Sequence, residues 1–326
     1  MSAPKREIRA RRSEARRMAE RAAALLAAVL IMLSLLAAKA LPAPFQANIV
    51  AVTAPEGPVQ RTDPTPDPSI YIRLADVDKD VSPEVIIKLM GISPSGAGVT
   101  LTGAEPKVLV YHTHDTEAYR QTPDSTYEPS GNCRTEDETK NVIAVGEELC
   151  RILREEYGIY AIHATERHEQ PLLTSAYMRS LETMRRYKEL YPSLEMFIDL
   201  HRDGVGDTGF EDDYVTVDGK KCARMMFVVG TGKSGKSSQY SPEESDTEND
   251  MPDFESNYRL ALTLTDTLLS YNSRFMRNVR VKSGKYNQQV SDKCLLVEVG
   301  HNANTLEMAM NSMEYLARAI AALNGE

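Results

Sequence analysis

The stretch Val108-Leu109-Val110-Tyr111-His112-Thr113-His114-Asp115-Thr116-Glu117 sets the pattern for the whole chain. Four apolar residues, two of them Val, have the length and β-branched content of a buried strand. A polar cluster of His and carboxylates follows at once. The arrangement recurs downstream. Residues 159–163 read as a second short strand and 196–200 as a third, followed by His201-Arg202-Asp203; 294–299 reads as the last. Between these runs the apolar residues fall at helical spacing. Val142, Ile143, Val145, Leu149 and Leu153 mark a helix over about 138–157, and further helices are expected over about 175–190, 258–271 and 305–323. Asp218-Gly219, flanked by 214–217 and 223–229, predicts a hairpin.

Strands alternating with helices imply an α/β fold. The expectation is a single domain over 107–326, with a mostly parallel central sheet flanked by helices and one antiparallel hairpin. In open sheets of this kind, ligands gather beyond the carboxyl ends of the strands. The residues placed there are therefore informative.

His112, His114 and Glu117 follow the first strand, His201 follows the third, and Glu298 interrupts the apolar run Leu295-Leu296-Val297-Glu298-Val299. A catalytic Zn²⁺ takes three ligands from His and Asp or Glu and leaves a position for water. A separate carboxylate then serves as base toward the water and acid toward the leaving amine. His114-Asp115-Thr116-Glu117 supplies His-x-x-Glu, His201 a third ligand, and Glu298 the base. A single His at a strand end is more often a hydrogen-bonded structural residue, but three at corresponding ends are harder to explain that way. Glu298 would cost several kcal/mol to bury unpaired, and Arg202 is the obvious partner if no metal is involved.

Outside this region the chain changes character. It has 326 residues and a net charge of −9. Residues 1–39 hold nine basic and three acidic side chains, which leaves −15 on the remainder. An uncharged, Ala/Leu-rich stretch lies between Arg21 and Lys39 at the lower length limit for a membrane span. The basic residues before it place the N-terminus in the cytoplasm and the rest of the chain outside. The reading is a basic cytoplasmic segment at 1–21, a transmembrane anchor at 22–38 and a Pro-rich linker at 39–106. Ten of the 17 prolines lie between Pro42 and Pro106, a composition that stays extended. Within it, 82–90 predicts one short helix with Pro83 at its first position. Ala38-Lys39-Ala40 keeps a cleaved signal peptide as the competing reading; both imply export. A buried core helix is the third reading, disfavoured by the basic arm in front of it.

The motifs VLVYHTHDTEAY, MFIDLHRDG, KCARMMFVVG and GKYNQQVSDKCLLVEVGHNANTLEMA occur in this order. Together with the basic, singly anchored N-terminus, they resemble the stage II sporulation protein P family over roughly 107–326. The resemblance implies an amidase-like fold and a membrane-anchored, zinc-dependent peptidoglycan hydrolase of an endospore former. Its expected activity is N-acetylmuramoyl-L-alanine amidase, with peptide cross-link cleavage as well. Expected partners at the engulfing septum are a lytic transglycosylase and a membrane protein. Carried onto this chain, it implies zinc ligation by His201, by Glu117 and by one of His112 and His114, with Glu298 as acid/base. It also places Tyr286-Asn287-Gln288 toward the substrate, whereas His301 departs from the family pattern. A non-catalytic wall-binding module and a zinc carboxypeptidase, with Arg202 holding the terminal carboxylate, are the alternatives.

Several other features point away from competing functions. The acidic balance speaks against nucleic-acid binding. Gly230-Thr231-Gly232-Lys233-Ser234-Gly235-Lys236-Ser237 matches a P-loop by letter, but an acidic stretch follows instead of a helix, so no nucleotide is expected. Cys150, Cys222 and Cys294 read as buried thiols and Cys133 as a loop residue. No Cys-x-x-Cys is present.

Overall fold

Strand β1 (Val108–Tyr111) forms where the apolar run places it and is buried at all four positions. In the computed structural model the described residues are 77–79, 81, 83–94, 98–206, 213–232, 251 and 254–324. The expected cytoplasmic segment, the anchor at 22–38 and residues 39–76 of the expected linker lie outside them. Among the described residues no helix is long and apolar enough to cross a membrane.

In chain order the elements are α1 (Pro83–Met90), β1, α2 (Val142–Glu155), β2 (Ala161–His163), α3 (Ala176–Leu190), β3 (Met196–Asp203), β4 (Tyr214–Val217), β5 (Lys220–Ala223), β6 (Met225–Gly230), α4 (Phe254–Tyr271), β7 (Arg280–Lys282), β8 (Cys294–His301) and α5 (Leu306–Ala322). The helix starts are chemically marked. Asn141 accepts from the Ile143 N–H at the head of α2, and Thr305 accepts from Met308 N–H at the head of α5. Six strands form one sheet in the order β2-β1-β3-β8-β6-β7, while β4 and β5 pair separately. Every neighbour pair in the large sheet is parallel except β8 with β6. The mixed α/β expectation with a mostly parallel sheet holds.

Alternation along each strand sorts the two faces. Val108, Val110, Ile198, Leu200, Val297 and Val299 join the main core with residues of α2, α4 and α5. Each such aliphatic side chain contributes roughly 1.5–3 kcal/mol on full burial. Leu109, Tyr111, Phe197 and Cys294 point the other way and pack with Met184 of α3. On that second face the next positions along β3 and β8 are polar: Asp199 and His201 follow Phe197, and Glu298 follows Leu296. The sheet therefore builds its polar site on the face carrying the smaller apolar clusters.

Three expectations need correction. The apolar run 223–229 is not one hairpin arm. Lys220–Ala223 closes the hairpin with β4, and the chain then breaks at Arg224 so that β6 joins the large sheet against β8. Arg224 donates to the carbonyls of Arg274 and Met276 and pairs with Asp213, which holds the break. Second, β3 continues to Asp203, so His201, Arg202 and Asp203 lie in the strand, with a register shift between His201 and Asp203.

The third concerns the linker. Val81, Leu89, Ile92, Val99 and Leu101 are buried in the main core. Asp78 pairs with Lys282 at 2.9 Å, and Asn324 Oδ1 accepts from the Leu101 N–H at 2.9 Å. Described residues from Val77 onward thus pack into the same core as the strands, ahead of the expected start at 107. Pro83, in the middle of the Pro-dense stretch, opens helix α1.

At the end of β6 the chain reaches Gly230-Thr231-Gly232, and the next described helix is α4. Gly232 has φ +62°, and a Cβ on it would collide with Met251 Cγ, so the two ends flanking residues 233–250 meet. The remainder of the P-loop-like motif lies outside the described residues.

Candidate active site

The carboxyl ends of β1, β3 and β8 lie side by side, and the parallel ladder sets their residues opposite one another. Tyr111 pairs with Asp199, and His201 pairs with Glu298. Just beyond β1 the chain turns, bringing His114 and Glu117 over the end of β3. The His114 and His201 rings stand edge to face with centroids 5.3 Å apart. Glu117 Oε2 lies 3.4 Å from His201 Nδ1 and accepts the Arg202 backbone N–H at 3.1 Å. His114, Glu117, His201 and Glu298 thus converge on one end of the sheet.

His112 stands apart. Its Nδ1 donates to the Leu200 carbonyl at 2.8 Å, and its Nε2 lies 2.9 Å from His163 Nε2. The ring is fully buried, and burial together with His163 lowers its pKa to about 3. Both ring nitrogens are engaged on the side of α2, where Gly146 leaves room: a Cβ there would lie 2.6 Å from His112 Nε2. His112 therefore ties β1 to β3 and does not face the group formed by His114, Glu117, His201 and Glu298. The flanking pair left open by the sequence is separated by these contacts.

Each of the two converging imidazoles is backed by a carboxylate that the motif reading did not single out. His114 Nδ1 donates to Glu169 Oε1 at 2.9 Å. His201 Nε2 lies 2.8 Å from Asp199 Oδ1, though not aligned for a hydrogen bond. Asp199 also accepts from the Thr113 backbone N–H (2.8 Å) and hydroxyl (2.6 Å), and Thr113 Oγ1 lies 2.7 Å from Ser180 Oγ on α3. Asp199 could have been found as Glu298 was, since it interrupts an apolar strand. Glu169 lies in a loop and carries no such signal.

The electrostatics follow from burial and from these neighbours. Burial alone would raise Glu117, but His201, Arg202 and His114 outweigh it and lower its pKa to about 2. Burial lowers His201, yet Asp199 and Glu117 more than reverse this and hold it well above the ordinary imidazole value. Glu298 moves the other way. Burial, reinforced by Glu117 and Asp203 against the opposing pull of His201, raises it to about 8. Its Oε2 is buried without a hydrogen-bond partner. Two neighbouring carboxylates whose surroundings push their pKa values in opposite directions suit separate roles as ligand and acid/base.

Arg202 is not the partner of Glu298. Its guanidinium donates to the carbonyls of Ala118 (2.9 Å) and Cys133 (2.7 Å) and lies 3.9 Å from Glu117. Alternation in β3 turns it to the opposite side from His201. With a further contact to the Asp203 carbonyl, these bonds engage three of its five N–H donors on backbone carbonyls. Gln288, expected toward the substrate, instead ties β6 down: its Oε1 accepts from Gly230 N–H and its Nε2 donates to Val228 O. Tyr286 stands 5.7 Å from Tyr177, which stands 5.7 Å from His114, so an aromatic pair borders the site. His301 is buried with Nε2 3.2 Å from Asp213 Oδ2.

A metal ion can be tested against this donor set. Among the described residues no three His, Cys, Asp or Glu side chains already stand close enough together to hold one. The chemistry of the set nevertheless fits Zn²⁺. His114 donates one ring N–H to the buried Glu169, the arrangement that orients imidazole ligands in zinc sites, and His201 Nε2 lies beside the buried Asp199. An ionised Glu117 lies beside them, and an unpartnered Glu298 oxygen faces the same end of the sheet.

Comparison with known proteins gives the following. The apo form of the N-acetylmuramyl-L-alanine amidase Ami1 from Mycobacterium abscessus is 13% identical, with a TM-score of 0.33, covering 67% of this chain and 97% of that one. Ami1 from Mycobacterium smegmatis is 13% identical at a TM-score of 0.35, covering 69% and 99%. An N-acetylmuramoyl-L-alanine amidase from Clostridium difficile 630 is 12% identical at 0.35, covering 67% and 94%. By sequence, the stage II sporulation protein P of Bacillus subtilis (strain 168) is 29% identical over 222 residues. That alignment takes in 63% of this chain and 48% of the relative, so the chain spans about half the length of the curated protein it matches. The family model for stage II sporulation protein P matches residues 55–321. This span begins ahead of the buried segment around Leu89 and Leu101 and encloses His114, Glu117, His201 and Glu298; the chain belongs to the stage II sporulation protein P family.

Proposed function

We propose that this protein is a zinc-dependent peptidoglycan hydrolase that cleaves the amide between N-acetylmuramic acid and L-alanine, and also stem-peptide cross-links where the groove admits them. The observation that carries the reading is the convergence of His114, Glu117 and His201 beside Glu298, on strand ends fixed by the sheet. In this reading His114, Glu117 and His201 hold Zn²⁺. When bound, the ion supplies Lewis-acid polarisation of the scissile carbonyl and lowers the pKa of water. Glu298 takes the proton of the attacking water and delivers it to the departing amine nitrogen. Its raised proton affinity suits both halves of that task. Arg202, through its backbone N–H, and Arg134, 3.7 Å from Glu117, hold the ligand carboxylate in place.

The wider setting is part of the same proposal. Residues 22–38 anchor the chain in the cell membrane, with the N-terminus cytoplasmic and the catalytic domain outside. The protein acts in septum thinning and engulfment during sporulation, alongside a lytic transglycosylase and a membrane partner. Digestion of purified peptidoglycan by the full chain in detergent, followed by mass spectrometry of the products, tests the activity. Stem peptides released with a free L-alanine amino group are expected. Loss of only the terminal residue would mean a carboxypeptidase, and no new product would mean a wall-binding module.

A further inference from the structure

Glu169 is a buried carboxylate on a loop, and one of its oxygens meets a ring nitrogen of His114. We propose that Glu169 is a positioning residue that fixes the tautomer and orientation of His114, leaving Nε2 as the only donor this imidazole can offer a metal ion. The proposal rests on reading His114 as a zinc ligand.

The argument begins with what each group can do. A carboxylate oxygen only accepts, so the 2.9 Å contact between Glu169 Oε1 and His114 Nδ1 requires the proton on Nδ1. The neutral ring then has its one lone pair on Nε2. For this to set orientation, Glu169 must itself be held, and it is held from both ends. Asp115 Oδ1 accepts the backbone N–H groups of His168 (2.8 Å) and Glu169 (2.9 Å). The Glu169 carboxylate accepts from the Thr116 N–H at 3.1 Å, from the Thr116 hydroxyl and from Arg134. His168, next in the chain, is buried and donates Nδ1–H to the His112 carbonyl at 2.6 Å. The loop is thus stitched to residues 112–116 on both sides of His114.

His201 is backed differently. Its Nε2 lies against Asp199 and its Nδ1 toward Glu117. The two imidazoles accordingly offer opposite ring nitrogens, and an exchange of either tautomer would remove a donor from the set. Outer carboxylates of this kind change metal affinity by 10–100-fold when lost.

The test uses the full chain in detergent, stripped of metal and titrated with Zn²⁺ alone against a chromophoric chelator. Glu169→Gln is expected to weaken Zn²⁺ binding about 10–100-fold while the metal-free melting temperature stays near that of the wild type. Glu169→Asp, which keeps the charge but shortens the reach, should fall between the two. It also serves as the readout if the Gln variant fails to fold. Wild-type affinity in both variants, or a loss that merely follows a lowered metal-free melting temperature, would overturn the role of Glu169 and leave the zinc reading standing. A wild-type chain that does not bind Zn²⁺ would instead overturn the zinc reading itself.

Discussion

His201 and Glu298 are register partners on the adjacent parallel strands β3 and β8. Their side chains rise from the same face at one inter-strand spacing, about 4.8 Å. The separation between a candidate ligand and the candidate acid/base is therefore set by the backbone ladder and not by a loop. Glu298→Gln should keep this geometry while removing the proton acceptor. Turnover of peptidoglycan is expected to fall by about 10²–10⁴-fold with zinc still bound, checked by muropeptide release alongside metal content. Turnover surviving in that variant would place the base elsewhere.

The two His residues that flank Thr113 should behave as different kinds of residue. His114→Ala is expected to lose metal with little loss of stability. His112→Ala should keep metal but destabilise the fold by about 1–3 kcal/mol, because Leu200 O is left buried without its donor. Zinc content and chemical denaturation of the two variants separate the roles; metal lost equally from both would contradict the assignment.

Gly146 offers a check on packing alone. Alanine is favoured over glycine in a helix interior by roughly 1 kcal/mol, yet its Cβ would lie 2.6 Å from His112 Nε2 and 2.7 Å from His163 Nε2. The His112 ring is locked against Leu200 and cannot yield, and overpacking of this kind costs about 1–3 kcal/mol. Gly146→Ala should therefore melt below the wild type. A higher melting temperature would show that the His pair can move aside.

Asp213 carries a pH signature. His301 first, and Arg224 at 2.7 Å, hold its carboxyl below the usual range despite partial burial. A depressed folded-state pKa contributes stability that is complete above the unfolded value of about 3.9 and is lost as pH falls through the folded one. Asp213→Asn should thus cost about 1–3 kcal/mol near neutrality, with the gap to wild type closing below about pH 4. Denaturant titrations at the two ends of that range measure it, and a gap independent of pH would rule out the ion pair as its source.

The sequence was most informative where a single periodicity governed a segment. The runs 108–111, 196–200 and 294–299 announce strands through apolar, β-branched composition, and their polar exits announce the site. Two errors came from patterns that were present but not followed through. Arg202 adjoins His201 on one strand, so alternation alone turns it away from Glu298. Pro83 and its neighbours occur in a Pro-dense stretch, yet Leu89, Val99 and Leu101 were available to a core. Other features had no local signature. The break at Arg224 depends on the carbonyls of Arg274 and Met276, and the contact of Glu169 with His114 joins residues far apart in sequence.

Gly232 and Met251 meet although the sequence between them is long. β6 runs antiparallel to β8, so this junction lies at the opposite end of the sheet from Glu298. Because those two ends are held against each other, evolution, or an engineer inserting a tag or reporter, can change the length of the sequence between Gly232 and Met251 without moving the strand ends that carry the chemistry.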